Sequence, residues 1–366
     1  MQVSQKSKET FDACRFCWMC HHICPIGNAT GHERNTARAR ALSLSLVERG
    51  GLALDEEVSA NLYECALCSG CAHDCITGWD PTKFTKEARL AAALEGVLPP
   101  YINTLLDNLA DHGTPYGQVA LDGALAEAIA ALPKEADVLL FLGADARALY
   151  PAGALNAMRL LTAAGISFTV LENEPNDAYA SNFLIGAAEE TRAAMKRAND
   201  AFAPFKTIVC YDGTDAAAFL REGKEWGVVT ANVVTFPAYI ASLIKQGKQG
   251  KLSPKKGETA YTIQDCAYIA RELDDDQSIR TVVDALGERR EMLVSGKATM
   301  LGGQALMATY MADVIAKVGA RRMHEAVIAG AETVVTESVG EYLALSAAAP
   351  AGVKVVTLEE AVLACL

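Results

Sequence analysis

Aromatic residues are sparse: Phe, Trp and Tyr make up 7% of a chain that is 51% hydrophobic. Alanine supplies much of the remainder, which suits close-packed helices and α/β layers and argues against a β-sandwich. Positive charge is also short, with 33 Lys and Arg against 45 Asp and Glu, a net charge of −12. That argues against nucleic acid as a partner, because phosphate binding needs a basic face. No uncharged stretch reaches the ~20 residues that span a bilayer, and the longest apolar pieces, such as Val138–Gly143, are strand-sized. The opening residues Met1-Gln-Val-Ser-Gln-Lys carry no apolar signal region. There is no GxGxxG after an expected strand and no Ser/His/Asp set. The pair Gly302-Gly303 is too little for a phosphate loop.

Cysteine, by contrast, is plentiful and unevenly placed. Of the 11 cysteines, eight lie in two runs, Cys14-Arg-Phe-Cys17-Trp-Met-Cys20-His-His-Ile-Cys24-Pro25 and Cys65-Ala-Leu-Cys68-Ser-Gly-Cys71-Ala-His-Asp-Cys75. Both read C-x2-C-x2-C-x3-C, the spacing that ligates [4Fe–4S] clusters through thiolates. Disulfide scaffolds are short and spread their cysteines more evenly, so this pattern points to a reducing compartment, the cytoplasm. Structural zinc prefers paired C-x2-C knuckles, four ligands per ion, and four cysteines within eleven residues do not resemble that.

In two-cluster proteins the fourth cysteine of each run serves the other cluster. The expected ligands are therefore Cys14, Cys17, Cys20 and Cys75 for cluster one, and Cys65, Cys68, Cys71 and Cys24 for cluster two. His21, His22 and His73 are expected to hydrogen-bond to sulfur or face solvent, and Trp18 to pack or to shield a cluster. Arg34, Arg38 and Arg40 are a candidate docking face, with a solvated helix face as the plainer explanation.

A length of 366 residues allows two or three domains. Residues 1–97 form the cysteine-bearing unit, with a spacer between the runs whose apolar positions recur at three and four, the helical period. Pro81 opens a further helix reaching Leu94. After Pro99-Pro100, residues 98–130 are a helical connector broken at His112-Gly-Thr-Pro115-Tyr-Gly117. From there strands and helices alternate, the pattern of parallel sheets covered by helices. In 131–245 the strands are Val138–Leu142, Ser167–Leu171 and Thr207–Cys210, and the helices 152–164 and 178–201. Lys245–Gly257 is a linker. In 258–366 the order recurs, with strands at 260–264, 291–294 and 333–336 and helices at 278–286 and 303–319. The fold class is α+β and multidomain: a helical ferredoxin-like unit followed by a duplicated α/β unit.

Two cysteine runs, a helical spacer and a duplicated α/β unit resemble one superfamily. It includes the D subunit of heterodisulfide reductase and the iron–sulfur subunits of glycolate oxidase, lactate-utilisation proteins and anaerobic glycerol-3-phosphate dehydrogenase. The resemblance covers nearly the whole chain and is strongest in the N-terminal unit, where Thr36-Ala-Arg38-Ala-Arg40 looks like the segment these proteins carry after their first run. It implies the α-helical ferredoxin fold for that unit. The family's α/β halves typically carry a Cys-Cys-Gly triplet and further cysteines, and in heterodisulfide reductases these hold noncubane clusters.

Here the sequence departs from the family. Ala144 stands where a cysteine is expected, the first triplet region reads Glu174-Pro175-Asn176-Asp177, and the second reads Met300-Leu301-Gly302-Gly303. Glu337-Ser338 replaces later cysteines, and only Cys210 and Cys266 persist. A five-thiolate site cannot be built from two cysteines, so no noncubane cluster is expected.

The resemblance then implies an electron-transfer subunit of an oxidoreductase complex, carrying two [4Fe–4S] clusters. Its partners would be a flavin-dependent dehydrogenase and a quinone, flavoprotein or iron–sulfur acceptor, and any membrane association would run through a partner. Two alternatives stand beside it. One is a disulfide-type reductase subunit using Cys210 and Cys266; the other is an assembly scaffold with structural clusters. Cys365 is expected to be incidental.

Overall fold

The computed structural model describes residues 1–245 and 251–366. Every regular element described in residues 1–130 is a helix. The helix Gln5–Cys14 starts where the Ser4 side chain accepts from the Ser7 amide and ends on the first cysteine. Ala37–Glu48 and Glu56–Tyr63 fill the spacer, capped by Thr36 and Asp55. Pro81–Leu94 begins with Pro81 in its first turn, behind an Asp80 cap. Such caps satisfy amides that have no partner inside the helix. The connector is two helices, Pro100–His112 and Gly123–Ala130, and Gly113 ends the first in the left-handed conformation.

Two four-stranded parallel sheets follow. In the first, β1 (Val138–Phe141), β2 (Phe168–Thr169), β3 (Thr207–Cys210) and β4 (Val233–Thr235) lie in the order β2-β1-β3-β4. In the second, β5 (Ala260–Gln264), β6 (Glu288–Arg289), β7 (Thr333–Thr336) and β8 (Lys354–Thr357) repeat it as β6-β5-β7-β8. The registers match as well, with Phe141 opposite Cys210 and Gln264 opposite Thr336. The duplication legible in the sequence is thus a duplicated sheet topology.

Several elements differ from the sequence expectation. The edge strands β4 and β8 are short and were not expected. The strand expected at 291–294 lies earlier, at Glu288–Arg289; Glu291 is instead committed to ion pairs with Arg280 and Arg289. The single helix expected over 178–201 is two, Ala178–Ile185 and Glu189–Phe202. Gly186 breaks it at φ +60°, and a Cβ there would stand 3.1 Å from the Lys86 carbonyl oxygen, so only glycine lets the helix pass the N-terminal unit so closely. The helix expected at 303–319 is likewise divided into Ala305–Ala308 and Ala312–Ile328. The expected linker 245–257 lies partly outside the described residues.

One apolar core runs from Phe11, Leu44 and Phe84 through Tyr179 and Phe183 to Phe141, Phe219 and Ile269. It joins the helical unit to both halves. A second core, including Leu140, Val209, Ile263 and Val335, joins the two sheets. Arg89 is fully buried at the first junction. It donates to the carbonyls of Leu62 and Cys65 at 2.8 and 2.7 Å and to that of Phe183. Its guanidinium also lies over the Tyr63 and Phe183 rings, at 4.6 and 4.5 Å.

Candidate functional site

The cysteine runs occupy turns between helices. After Cys14 the chain leaves its helix and passes Cys17 and Cys20. It then makes a short 3-10 turn, His21–Ile23, and re-enters a helix at Pro25. The Cys24 sulfur caps that helix, accepting from the Gly27 amide at 3.4 Å. In the second run the backbone folds back at Leu67 and Ser69, with φ of 51° and 58°. Among the described residues only three non-glycine positions have positive φ, and two of them are in this loop. Such strain persists where the surroundings over-determine it and concentrates at functional sites. Alternating backbone hands also turn amide groups inward into an anion-binding concavity. The sulfurs of Cys65 and Cys75 accept from the amides of Leu67 and Trp79, at 3.4 and 3.3 Å.

Thiols of the two runs raise one another. Burial pushes Cys14 up to about 12, and the neighbouring Cys75, Cys20 and Cys17 add to the effect. Cys20 is raised by burial, then by Cys17 and Cys75. Burial pushes Cys24 up to about 11; Arg40 and the Gly27 amide oppose this, while Cys68 and Cys65 add to it. Cys71 is held well above its ordinary value by burial, then by Cys65, Cys20, Cys68 and Cys24. Cys14 and Cys20 thus stand near Cys75, and Cys24 near Cys65 and Cys68, while Cys71 stands near Cys20 as well as near Cys65, Cys68 and Cys24.

Among the described residues no three Cys, His, Asp or Glu side chains converge as they would around one metal ion. A cubane makes no such demand, since each thiolate binds its own iron at a separate corner. The donor set fits that group: eight free thiols, seven of them half-buried and Cys17 exposed, with amide hydrogens on the sulfurs of Cys24, Cys65 and Cys75. Buried thiols of raised pKa stay neutral unless a metal takes the proton's place.

Of the expected flanking residues, Arg40 is corrected. It is buried at 3% exposure, donates to the Asn35 carbonyl at 2.9 Å, and stands beside Cys65, Cys24 and Cys71. It offers an interior positive charge and no docking face. Arg34 pairs with Glu64 at 2.8 Å, and Arg38 pairs with Glu33 while its guanidinium lies 4.1 Å over the exposed Trp18 ring. His22 bridges the runs through Asp74, with Nε2 3.1 Å from a carboxylate oxygen.

Behind the second run lies the junction of the two α/β halves. Tyr268 donates to the Ala66 carbonyl at 2.7 Å, Ser69 to Glu272 at 2.6 Å, and Arg271 to the Cys68 carbonyl. The carboxyl ends of both sheets face this junction, the place where open α/β sheets put ligands. Cys210 and Cys266 are both here, buried and free. A Cβ on Gly213 would lie 2.7 Å from the Cys266 sulfur. Neighbouring acids are distinct for each thiol, Asp215 for Cys210 and Glu341 for Cys266, and Asp212 is common to both.

Sequence reasoning missed these acids. Glu174 accepts from the Leu142 and Gly143 amides at 2.9 and 3.1 Å. Asp212 accepts across the junction from the Val339 amide at 2.9 Å. Glu337 accepts from the Cys266 amide at 2.9 Å, and Glu341 from the Gly302 amide at 3.0 Å. Burial pushes Asp145 up to about 7 and Glu341 up to about 8. The usable signal was position for Asp212 and Glu337, which stand within two residues of a strand end. The chain's own carboxylates thus occupy the amide cradles that a ligand would take. Two cavities at the junction, one beside Tyr211 and Glu337 and one beside Tyr179 and Tyr268, measure about 10 and 20 Å³. Neither holds more than about one water. A roomier cleft of about 650 Å³ opens at the far edge of the first sheet, by Arg147, Glu174 and Arg197.

No protein-family model matches the chain, and no curated protein is similar to it. Among solved structures it is similar to a hypothetical protein from Helicobacter pylori. The identity is 12%, over 99% of this chain and 73% of that one, and the TM-score is 0.60. That likeness is one of fold. A glutamate racemase from Bacillus anthracis (14% identity, 63% of this chain and 79% of that one, TM-score 0.30) is far more distant. So is an aspartate racemase homologue from Pyrococcus horikoshii OT3 (12%, 62% and 96%, 0.27). No helix among the described residues is long and apolar enough to cross a membrane.

Proposed function

We propose that the chain is the iron–sulfur electron-transfer subunit of an oxidoreductase complex, working in the cytoplasm. Cys14, Cys17, Cys20 and Cys75 would hold one [4Fe–4S] cluster, and Cys65, Cys68, Cys71 and Cys24 the other, within an α-helical ferredoxin-like unit. Bound clusters supply one-electron carriers. The chain's own contribution is to desolvate the thiols, direct amides and Arg40 at the second foursome, and hold the two foursomes adjacent at Cys20 and Cys71. A flavin-dependent dehydrogenase would be the donor, and a quinone, flavoprotein or iron–sulfur protein the acceptor.

The observation that carries this is the double C-x2-C-x2-C-x3-C spacing, supported by the nearness of Cys14 and Cys20 to Cys75 and of Cys24 to Cys65 and Cys68. The plugged junction supports a relay over a reductase, since Cys210 and Cys266 have acids beside them and no room for a substrate. Anaerobic preparation should yield about eight iron and eight sulfide per chain. Cys75→Ser and Cys24→Ser should each remove one cluster and spare the other. About four iron in the parent chain would overturn the assignment. Full cluster content that no physiological donor reduces would favour the scaffold alternative.

A further inference from the structure

Three arginines converge on the second cysteine run. Arg40 and Arg89 are buried, at 3% and 0% exposure, and Arg271 is half-buried. Arg89 donates to the Cys65 carbonyl and Arg271 to that of Cys68. Arg40 donates to the Asn35 carbonyl, which the Cys24 sulfur also approaches at 3.4 Å. They arrive from separate places: the spacer helix, the helix that follows the run, and the second α/β half. None of the three has a carboxylate partner. Among the described residues every hydrogen bond they make goes to a backbone carbonyl oxygen. The acids nearby are already taken, Glu64 by Arg34 at 2.8 Å, and Glu272 and Asp80 by Arg221 at 2.9 and 3.2 Å.

The first run is provided for differently. Its neighbouring cations are paired: Arg15 with Asp12 at 3.1 Å, Arg38 with Glu33, and His22 with Asp74 at 3.1 Å. A guanidinium stays charged in a protein, and a buried charge without a counter-charge is costly. What the three arginines lack is an anion, and the second run supplies one only when loaded. Its thiols are neutral, whereas four thiolates outweigh the charge of an oxidised cubane core by two, and an added electron deepens that by one. Unpaired positive charge therefore favours the reduced form. A unit charge about 10 Å away, across an interior of effective dielectric about 20, is worth roughly a tenfold change in an equilibrium constant. Solvent exposure at Cys17 also favours reduction of the first cluster. It brings one ligand into water, against three charges that solvent screens little.

We propose that Arg40, Arg89 and Arg271 set the second cluster at the higher reduction potential, so that an electron entering the chain comes to rest beside the α/β unit. This rests on the cluster reading above. The transfer is of one electron: the first cluster returns to its oxidised form as the second is reduced. The α/β unit, which supplies none of the expected ligands, thereby acts on the chemistry through Arg271.

The test is a redox titration of the full chain, prepared anaerobically and followed by electron paramagnetic resonance. Cys17→Ala should keep only the second cluster and Cys68→Ala only the first, each with about four iron. The midpoint of the Cys17→Ala chain should be the higher, by at least the ~59 mV that a tenfold one-electron preference represents. Adding Arg40→Gln or Arg271→Gln, which remove the charge and keep a donor, should each lower that midpoint by about the same amount. Arg40→Lys and Arg271→Lys should leave it near the Cys17→Ala value. In the Cys68→Ala chain the same substitutions should move nothing. The proposal is overturned if the first cluster titrates at an equal or higher potential, or if the Lys variants shift as far as the Gln ones. An equal shift in both chains overturns it too. If Arg271→Gln takes up no iron, the Arg40 variants and the ranking of the two clusters still decide. A parent chain without iron would sink the cluster reading and this proposal with it; full iron with the ranking reversed sinks this proposal alone.

Discussion

The Tyr268 hydroxyl donates to the Ala66 carbonyl oxygen at 2.7 Å, across 202 residues of sequence. It ties the loop of the second cysteine run to the segment that follows Cys266. Both partners are buried, so removing the hydroxyl leaves a carbonyl without a partner. Tyr268→Phe should cost about 1–2 kcal/mol, read as a lower urea midpoint with unchanged slope. If the runs hold the proposed clusters, iron loss to a chelator should quicken as well, since the loop's own anchor is gone. A variant with parent midpoint and parent iron retention would show that the tie is idle.

Arg89 joins the helical unit to the first half by a different route. Its guanidinium serves carbonyls of Leu62, Cys65 and Phe183. Arg89→Ala would strand all three and remove two ring contacts. A loss of about 3–5 kcal/mol is expected, as for breaking other buried charged networks, and Arg89→Lys should recover only part of it because one ammonium cannot span three acceptors. Chemical denaturation of the three proteins checks the order.

Stability should fall as pH rises toward 8. Burial raises the Glu341 carboxyl from 4.5 to about 8. The contribution is therefore fully present below about 4.5 and is lost progressively as pH climbs through 8, because the unfolded chain releases the proton first. Asp145, raised to about 7, acts in the same direction. Glu341→Gln keeps an oxygen for the Gly302 amide and for Gln264, and carries no proton to lose. Relative to the parent it should gain stability between pH 5 and 9, on the order of a few kcal/mol over the whole span. Denaturant midpoints at five pH values measure the slope, and identical slopes would contradict the assignment.

Gly213 is fixed by contact. A Cβ there would meet the Cys266 sulfur at 2.7 Å and Ile269 carbons at 2.9 Å. Gly213→Ala should cost about 1–3 kcal/mol by overpacking. Cys266→Ala in the same chain should return part of the loss, a coupling that a double-mutant cycle reads directly.

What the sequence disclosed follows from how each feature is encoded. Cysteine spacing is written directly in the sequence, so the pairing of the two runs was legible, and the structure sets Cys75 near Cys14 and Cys24 near Cys65 and Cys68. Central strands such as Val138–Phe141 are buried on both faces and announce themselves as apolar runs. The edge strand Val233–Thr235 has three residues and Lys354–Thr357 begins exposed, so neither rises above its surroundings. Gly186 breaks a helix because of what passes beside it, the Lys86 backbone, and no local pattern records a neighbour 100 residues away. The junction acids escaped for a related reason. Asp212 and Glu337 look like ordinary turn residues until the second sheet is placed opposite the first.

That opposition of the two sheets has a consequence for how the chain changes over time. With Asp212 bonded to Val339 and Gly213 pressed on Cys266, a substitution at a strand end in either half is felt at once by the other. The repeats are alike in topology, yet neither is free to drift alone. Their divergence has to be negotiated in pairs across the seam, so covariation should concentrate there and fade toward the outer helices.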